Sequence, residues 1–139
     1  MTRISIVGGT GFAGGHIAAE AAARGHEVTS WSRHEPANPV PGVTYRTGSV
    51  FDDQTLRDAV TGADVVVEAL SPRGELAGRL EPIVVKLANL VQDAGSRLGV
   101  VGGAGSLLVS EDGPMMVDAG GFPDDYVAEA HEMADILKD

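Results

Sequence analysis

Gly8-Gly9-Thr10-Gly11-Phe12-Ala13-Gly14-Gly15 follows directly on the apolar run Ile4-Ser5-Ile6-Val7 and opens an alanine-rich segment from His16 to Gly25. An apolar run, a glycine-rich turn and a helical segment in this order predict a β-strand that leads into an α-helix. Such a turn gathers unpaired backbone N–H groups and the positive end of the helix dipole at one point. The stretch therefore predicts a binding site for a phosphate group.

The glycines of this turn have a defined spacing, Gly8-x-x-Gly11-x-x-Gly14. Its first interval is one residue longer than in the G-x-G-x-x-G fingerprint of dinucleotide-binding folds, but the physical requirements are the same. Gly8 allows the tight turn, Gly11 lets the backbone approach the phosphates, and Gly14 lets helix and strand pack closely. A plain strand-to-helix turn would also tolerate these glycines, but the flanking strand and helix favour a nucleotide site. The predicted cofactor-binding residues in this stretch are Gly8, Thr10, Gly11, Phe12, Ala13 and Gly14.

The composition indicates one globular domain over residues 1–139. The chain is 43% hydrophobic, carries no cysteine, and has no apolar window long enough to cross a bilayer. Its net charge is −10, and residues 111–139 hold nine acidic residues against one lysine. Nucleic acid and anionic membranes require a basic face, so neither is an expected partner. The lack of cysteine and of a leader segment predicts a cytoplasmic location.

Apolar runs and helical periodicity alternate along the whole chain. Strands are predicted over residues 2–7, 26–31, 43–47, 64–70 and 97–101. Helices are predicted over residues 12–24, 53–60 and 124–138. Another has its apolar stripe from Leu76 to Val91, and it either begins near Glu81 or is kinked at Pro82. Strands that alternate with helices over short connections predict an α/β fold, a Rossmann-like doubly wound parallel sheet with the strand order 3-2-1-4-5. The ligand would lie across the carboxyl ends of strands 1 and 4.

The segment after the second strand bears on the choice of nicotinamide cofactor. NAD-selective sites carry an acidic residue about 20 residues after the glycines, where it binds the ribose hydroxyls. Here the strand leads into Ser32-Arg33-His34, and the first acidic residue is Glu35. Arg33 can pair with a 2′-phosphate, although a solvated loop arginine would look the same in sequence. Ser32 and Arg33 therefore predict NADP as the cofactor, with NAD as the second choice.

These motifs together resemble one protein family. They are Gly8-x-Thr10-Gly11-x-x-Gly14, Arg33, the strand 64–70, the segment 100–106, and Val117-Asp118 followed by Phe122-Pro123-Asp124-Asp125-Tyr126. The set is similar to the NAD(P)H-binding atypical short-chain dehydrogenase/reductases, above all to NADH-flavin reductases and epimerase/dehydratase-like proteins. The resemblance covers nearly the whole chain. It implies a Rossmann fold, a nicotinamide dinucleotide, and reduction of a flavin or similar planar acceptor.

The resemblance and the strand order also assign residues after the later strands to the cofactor. They are Ser49 and Val50 after the third strand, Ala69, Leu70 and Ser71 after the fourth, and Gly102 and Gly103 after the fifth. Two positions depart from the family pattern: Ser49 replaces the acidic residue that would meet the adenine, and Glu68 replaces a small polar residue. Family members also continue with further strands after the last helix, so those later strands are expected to be missing here.

Ser106 and Tyr126 are the candidate catalytic residues. Members of the superfamily that use Ser, Tyr and Lys space the last two as Tyr-x-x-x-Lys, whereas Ala130 takes the lysine position here. Without that lysine, Tyr126 could equally be an aromatic residue on the packed face of the last helix. Hydride transfer to a flavin needs chiefly stacking and alignment, so an acceptor of that kind tolerates the loss. The four histidines lack metal-ligand spacing, and no metal site is predicted.

Two function classes remain open on the sequence alone. One is an NAD(P)H-dependent reductase of a small-molecule acceptor, and the other is a non-catalytic NADP(H)-binding regulator or sensor. The fifth strand, residues 97–101, has no predicted neighbour on its outer side, and such an edge invites pairing with another chain. We therefore expect a homo-oligomer that buries this edge, or a chain that is part of a longer parent protein.

Overall fold

The computed structural model of the chain describes residues 1–138. Its strands are β1 (Arg3–Val7), β2 (Glu27–Ser32), β3 (Val43–Thr47), β4 (Val65–Glu68) and β5 (Arg97–Val100). Its α-helices are α1 (Phe12–Ala23), α2 (Asp53–Val60), α3 (Leu80–Ala94) and α4 (Val127–Lys138). Short 3₁₀ turns lie at Gly74–Leu76, Ala104–Ser106 and Asp124–Tyr126. None of the helices in this described part is long and apolar enough to cross a membrane.

The strands of residues 1–138 form one parallel sheet in the order β3-β2-β1-β4-β5. Val7 of β1 pairs with Trp31 of β2 on one side and with Glu68 of β4 on the other, so the carboxyl ends of these strands are level. Right-handed crossovers in this order place α1 on one sheet face and α2 on the other. The predicted Rossmann-like fold and its strand order are confirmed.

The described chain divides into two compact units, of which the first contains the sheet. This unit consists of Met1–Leu70 and Lys86–Val101. On the α1 face its core is a cluster of nearly fully buried residues, Ile6, Ala18, Ala21 and Val28. Alanine has the highest helix propensity and a small side chain. The alanine-rich segment therefore both forms the helix and packs closely on the sheet.

On the opposite face of the same unit, α2 presents an apolar stripe. Its buried residues are Thr55, Leu56, Ala59 and Val60. Asp52 caps this helix, because its carboxylate accepts a hydrogen bond from the Gln54 N–H at 3.0 Å. Lys86 of α3 donates a hydrogen bond to Asp53 at 2.9 Å, and this contact lowers the pKa of the exposed Asp53 carboxyl. The ion pair therefore joins α2 to the part of α3 that belongs to this unit.

The second unit consists of Ser71–Val85 and the segment from Gly102 onward. Its packing centres on α4, whose buried residues are Ala130, Ala134 and Ile136. Gly105 lies so close to this helix that an added Cβ would stand 2.9 Å from the Ala130 Cβ. Glycine is thus required where the segment after β5 crosses α4, because a larger residue would force the two apart.

Acidic side chains of α4 bind the chain at the start of α3. The carboxylate of Glu132 accepts hydrogen bonds from the backbone N–H groups of Gly78 and Leu80, at 2.6 and 2.9 Å. Glu129, one turn earlier, forms an ion pair with Arg73 at 2.8 Å. These two carboxylates therefore anchor the segment between β4 and α3 within the second unit.

Candidate functional site

The glycine turn packs against the end of β4. Gly8 has a φ of +90°, a backbone conformation that residues with a side chain rarely adopt. A Cβ at this position would lie 2.9 Å from the Ala69 carbonyl oxygen and 3.1 Å from Cδ2 of Leu70. Ala69 and Leu70 therefore form one wall of the turn, and only glycine fits beside them.

The first turn of α1 leaves backbone donors open. Gly11 is the N-cap residue, and no side chain within residues 1–138 caps the helix there. The N–H groups of Phe12, Ala13 and Gly14 have no acceptor inside the helix. A Cβ at Gly11 would meet only the Gly8 oxygen, at 3.6 Å, whereas a Cβ at Gly14 would collide with that oxygen. Gly11 thus borders open space at the positive end of the helix dipole, and Gly14 serves packing.

A cavity of about 430 Å³ opens beside this turn. Thr10, Ser32 and Arg33 line it together with Gly9 and Gly15. The structure thus brings the glycine turn and the end of β2, both assigned to the cofactor from sequence, to one site. On this side the cavity combines backbone of the turn, the hydroxyl groups of Thr10 and Ser32 and the Arg33 guanidinium, a set that suits a phosphorylated ribose.

The far wall of this cavity is the rest of the loop after β2, in which Arg33 alone was assigned to the cofactor from sequence. The additional lining residues are His34, Glu35, Pro36, Ala37, Asn38, Val40 and Tyr45. The Ser32 hydroxyl donates to the His34 carbonyl oxygen at 2.6 Å, and the Val40 N–H donates to the Tyr45 hydroxyl oxygen at 2.9 Å. Each end of the loop is therefore held by a hydrogen bond to a neighbouring strand. Tyr45, in the strand that follows this proline-rich loop, was the sequence feature that could have indicated this wall of the cavity.

Phe12, also assigned to the cofactor, begins α1 and is 87% exposed. Its ring contacts the His16 ring edge-on, with the centroids 4.8 Å apart. One helical turn separates the two residues, so the pair stands on one face of the helix. An exposed aromatic pair therefore flanks the open backbone donors of the first turn.

Ser49 and Val50 follow β3 and do not line the cavity among the described residues. The Ser49 hydroxyl oxygen accepts a hydrogen bond from the Phe51 N–H at 3.2 Å, and its carbonyl oxygen accepts one from the Asp52 N–H at 3.0 Å. Val50 is buried. These two predicted residues therefore shape the turn into α2 and fill the core, and the structure does not bring them to Arg33.

Glu68, the last residue of β4, is turned into the sheet face opposite α1 and is fully buried. One carboxyl oxygen accepts a hydrogen bond from the Leu70 N–H at 2.7 Å. Burial raises the pKa of this carboxyl to about 7, against a smaller lowering by that hydrogen bond. Because Leu70 bonds to a side chain instead of the sheet, the strand ends at Glu68 and not at residue 70 as predicted.

Three of the residues assigned to the cofactor, Ser71 after β4 and Gly102 and Gly103 after β5, begin the segments of the second unit. Ser71 is exposed, and its carbonyl oxygen accepts a hydrogen bond from the Arg73 N–H at 2.8 Å. Gly102 and Gly103 are exposed as well. The Ser106 hydroxyl donates to the Gly103 carbonyl oxygen at 3.2 Å. Ser106 therefore sits at the end of a 3₁₀ turn that it helps to hold.

Tyr126 precedes α4 and is 53% exposed, which does not support the alternative of a packed aromatic residue. Arg73 forms its ion pair with Glu129, one turn further along the chain. The Glu129 carboxylate raises the pKa of Arg73, and Tyr126 adds a smaller contribution. A cation therefore stands within electrostatic range of the phenol, although Ala130 occupies the lysine position. In residues 1–138, no hydrogen bond joins Ser106 to Tyr126.

The other sheet face of the first unit carries a second cavity, of about 480 Å³. Trp31 lines it and is largely buried, and the Arg46 guanidinium lies 5.9 Å from the centre of the indole ring. The indole therefore lies apart from the cavity beside Arg33. Among the described residues, no group of three histidine or acidic side chains could hold a metal ion.

Known proteins share this architecture over nearly the full chain. YwnB of Bacillus subtilis, an uncharacterised protein, is 35% identical over 99% of this chain and 64% of its own length. A solved structure of a "putative exported protein" from Burkholderia pseudomallei has 40% identity and a TM-score of 0.83, over 99% of this chain and 65% of that one. A "putative NADH-flavin reductase" from Streptococcus pneumoniae has 29% identity and a TM-score of 0.78, over the same shares. The chain thus spans just under two thirds of the length of these relatives.

The NAD(P)H-binding family matches residues 8–139. The match begins at Gly8, the first glycine of the turn, and includes every residue assigned above to the cofactor. It agrees with the open helix N-terminus and with the cavity beside Arg33, which fit a phosphorylated dinucleotide. The chain therefore belongs to the NAD(P)H-binding family, with a Rossmann-like fold.

Proposed function

We propose that this chain binds NADPH and that the protein reduces a flavin or a similar planar acceptor. The observation that carries the proposal is the convergence of Thr10, Ser32 and Arg33 with the glycine turn on one cavity. The open N–H groups at the start of α1 would hold the pyrophosphate, and the cavity would hold the phosphorylated ribose. When bound, NADPH supplies a hydride from its nicotinamide ring.

Arg33 supports NADPH over NADH. A hydrogen bond between a guanidinium and a phosphate is charge-assisted and contributes about 1.5–3 kcal/mol. Glu35 lines the same cavity, and an acidic side chain there would favour the free ribose hydroxyls of NADH. Arg33 stands two positions nearer the end of β2 than Glu35. We therefore assign the dominant contribution to Arg33.

Titration calorimetry with NADPH and NADH tests this assignment. Wild type is expected to bind NADPH more tightly, and Arg33→Ala to weaken NADPH binding about tenfold or more while changing NADH binding little. Arg97→Ala is the matched control, because Arg97 is exposed and begins β5 at the other end of the sheet. Equal affinities for the two nucleotides in wild type would remove Arg33 from the site.

Ser106 and Tyr126 are the proposed residues on the acceptor side. A flavin acceptor requires stacking and alignment, whereas a carbonyl acceptor also requires a proton donor such as a phenol. Tyr126 is exposed, so its phenol could serve as such a donor, and Arg73 lies within electrostatic range of it. The arrangement therefore supports a flavin acceptor first and a carbonyl acceptor second.

Steady-state oxidation of NADPH with FMN, riboflavin, a quinone and a simple ketone separates these acceptors. For a flavin, Tyr126→Phe and Ser106→Ala are expected to change turnover by less than about threefold, because alignment dominates. For a ketone, Tyr126→Phe should lower turnover by about 100-fold or more. NADPH binding without oxidation by any acceptor would favour the non-catalytic regulator instead.

The same proposal assigns a small molecule, and neither nucleic acid nor a membrane surface, as the partner. A net charge of −10 opposes binding to either polyanion. The cysteine-free sequence favours the cytoplasm, whereas one relative is named an exported protein. Fractionation of cells that make the protein would decide between the two locations.

A further inference from the structure

Glu68 is a buried ionisable side chain that the proposed hydride transfer does not use. Its exposed fraction is 0%, and it stands at the carboxyl end of β4, paired with Val7 of β1. One carboxyl oxygen accepts the Leu70 N–H at 2.7 Å, and the other has no hydrogen-bond partner among the described residues. A buried carboxyl with a single donor is costly to ionise.

The neighbours of Glu68 on the adjacent strands of its sheet face are uncharged. Ser5 and Val7 flank it on β1, and Val100 lies beside it on β5. The charged residues of the covering helices in this unit are all exposed, namely Asp53, Arg57 and Asp58 of α2 and Lys86 and Asp93 of α3. Burial and the Leu70 N–H are thus what set the pKa of Glu68 at about 7, so its charge changes in the neutral range.

Leu70 connects this carboxyl to the glycine turn. The Ala69 carbonyl oxygen and the Leu70 side chain are the groups that a Cβ on Gly8 would strike. Glu68 therefore holds the backbone of the wall against which the phosphate-binding turn packs. We propose that Glu68 is a positioning residue of the nucleotide site and couples NADPH binding to the uptake of a proton. This inference rests on the proposed NADPH site.

The coupling between NADPH binding and proton uptake follows from the negative charge of the NADPH phosphates. NADPH would bring phosphate groups to the strand ends at which Glu68 stands, and negative charge nearby favours the protonated carboxyl. By linkage, a nucleotide that raises the proton affinity of Glu68 binds more tightly when Glu68 is already protonated. A rise of one unit in the Glu68 pKa would correspond to about tenfold in affinity. NADPH binding is therefore expected to weaken as the pH rises through the neutral range.

The first experiment needs no nucleotide. The Leu70 amide signal is followed by NMR from about pH 5.5 to pH 8.5, a range that brackets the Glu68 pKa. The proteins compared are wild type, Glu68→Gln and the control Glu27→Gln, whose substituted side chain is exposed. We expect an inflection near neutral pH in wild type and control, and none in Glu68→Gln. In Glu68→Leu, hydrogen exchange at Leu70 should be about tenfold faster, because the hydrogen bond is lost. A Leu70 amide that responds to neither pH nor the loss of the carboxyl overturns the positioning role.

The second experiment measures NADPH affinity and proton uptake by calorimetry in buffers of different ionisation enthalpy. The 2′-phosphate of NADPH itself titrates at about pH 6, so the readout is the difference between wild type and Glu68→Gln. Wild type should lose about fivefold more affinity than Glu68→Gln between pH 6 and pH 8, and take up more protons. Equal pH profiles with intact NADPH binding overturn the coupling alone. No NADPH binding to wild type overturns the proposed function, and the coupling with it.

Discussion

The glycines between β1 and α1 differ in the atoms that a side chain at each position would meet. Gly11 has an ordinary negative φ of −77°, and its missing side chain borders open space. Gly14 faces the carbonyl oxygen of Gly8, where no Cβ can fit. The glycine spacing predicts these two roles, Gly11 beside the phosphates and Gly14 between helix and strand, and the atoms around each position are consistent with them.

The two positions should therefore respond differently to substitution. Gly11→Val is expected to abolish NADPH binding with a change in unfolding free energy within about 1 kcal/mol, because the side chain enters the phosphate space without backbone strain. Gly14→Ala should instead destabilise the fold by about 1–3 kcal/mol, because α1 must move away from β1. Chemical denaturation and calorimetry measure both effects. Retained NADPH binding in Gly11→Val would show that the turn is only structural.

The raised pKa of Glu68 also predicts how stability depends on pH. Its value is about 7 in the folded chain against 4.5 for an unperturbed glutamate, so the folded state binds the proton more tightly than the unfolded state. The stabilisation is complete below the unfolded pKa and is lost as the pH rises through the folded one, about 3 kcal/mol in all. Urea unfolding between pH 5 and pH 8 should show this slope in wild type and Glu27→Gln, and lack it in Glu68→Gln. A wild-type slope that survives in Glu68→Gln would assign the effect to other groups.

Site residues differed in how far sequence could predict them. The position of Arg33 beside the glycine turn was predictable, because a place just after β2 follows from the strand order. The orientation of Glu68 was not, because a carboxyl at a strand end can face either the ligand or the core. Ser49 and Val50 were assigned through the family resemblance, and the turn into α2 holds them away from the cavity.

At the level of elements, α4 does more than cover apolar surface. Its Glu132 carboxylate accepts hydrogen bonds from the N–H groups of Gly78 and Leu80, which have no acceptor within α3 itself. A carboxylate at a helix N-terminus also complements the helix dipole. Glu132 thus caps α3 from a distant part of the sequence, whereas Asp52 caps α2 from the position next to it.

Glu132→Ala is expected to lower the unfolding free energy by about 1 kcal/mol, the usual effect of losing a helix cap. It should also speed hydrogen exchange at Gly78 and Leu80, because these amides lose their acceptor. Asp135→Ala is the matched control, since Asp135 lies on the same helix but is exposed and makes only a 4.0 Å ion pair with Lys138. Equal stability and exchange in the two variants would show that Glu132 does not cap α3.

The ends of strands and helices were predicted correctly where the residues next to each end determine it. The bounds of β3 and α2 were predicted as observed, because glycine, proline and a capping aspartate flank them in sequence. The end of β4 was misjudged, because the Glu68 carboxyl removes Leu70 from the ladder. The partners of the acidic residues of α4 lie about 50 residues earlier in the chain, so local sequence does not indicate them.

At the scale of the whole molecule, β5 ends the sheet. Within residues 1–138 it pairs with β4 alone. The Val101 N–H donates to the Glu68 carbonyl oxygen of β4. The Arg97 N–H donates to the carbonyl oxygen of Asp64, the residue just before β4. Since alternate residues of a strand direct their N–H groups to opposite edges, those of Leu98 and Val100 point to the outer edge. An apolar edge with open donors invites another strand.

We predict that a second copy of the chain pairs with this edge in the isolated protein. Val100→Pro removes one outward N–H but leaves the ladder to β4 intact, so it should convert a dimer or larger assembly to a monomer. Val100→Ala is the control, because it shortens the same 42% exposed side chain and keeps the N–H. Light scattering at micromolar concentration measures the mass of each variant, and hydrogen exchange reports on the edge amides. A monomeric wild type with rapid exchange at Leu98 and Val100 would contradict edge pairing. An assembly that persists in Val100→Pro would place the interface elsewhere on the surface.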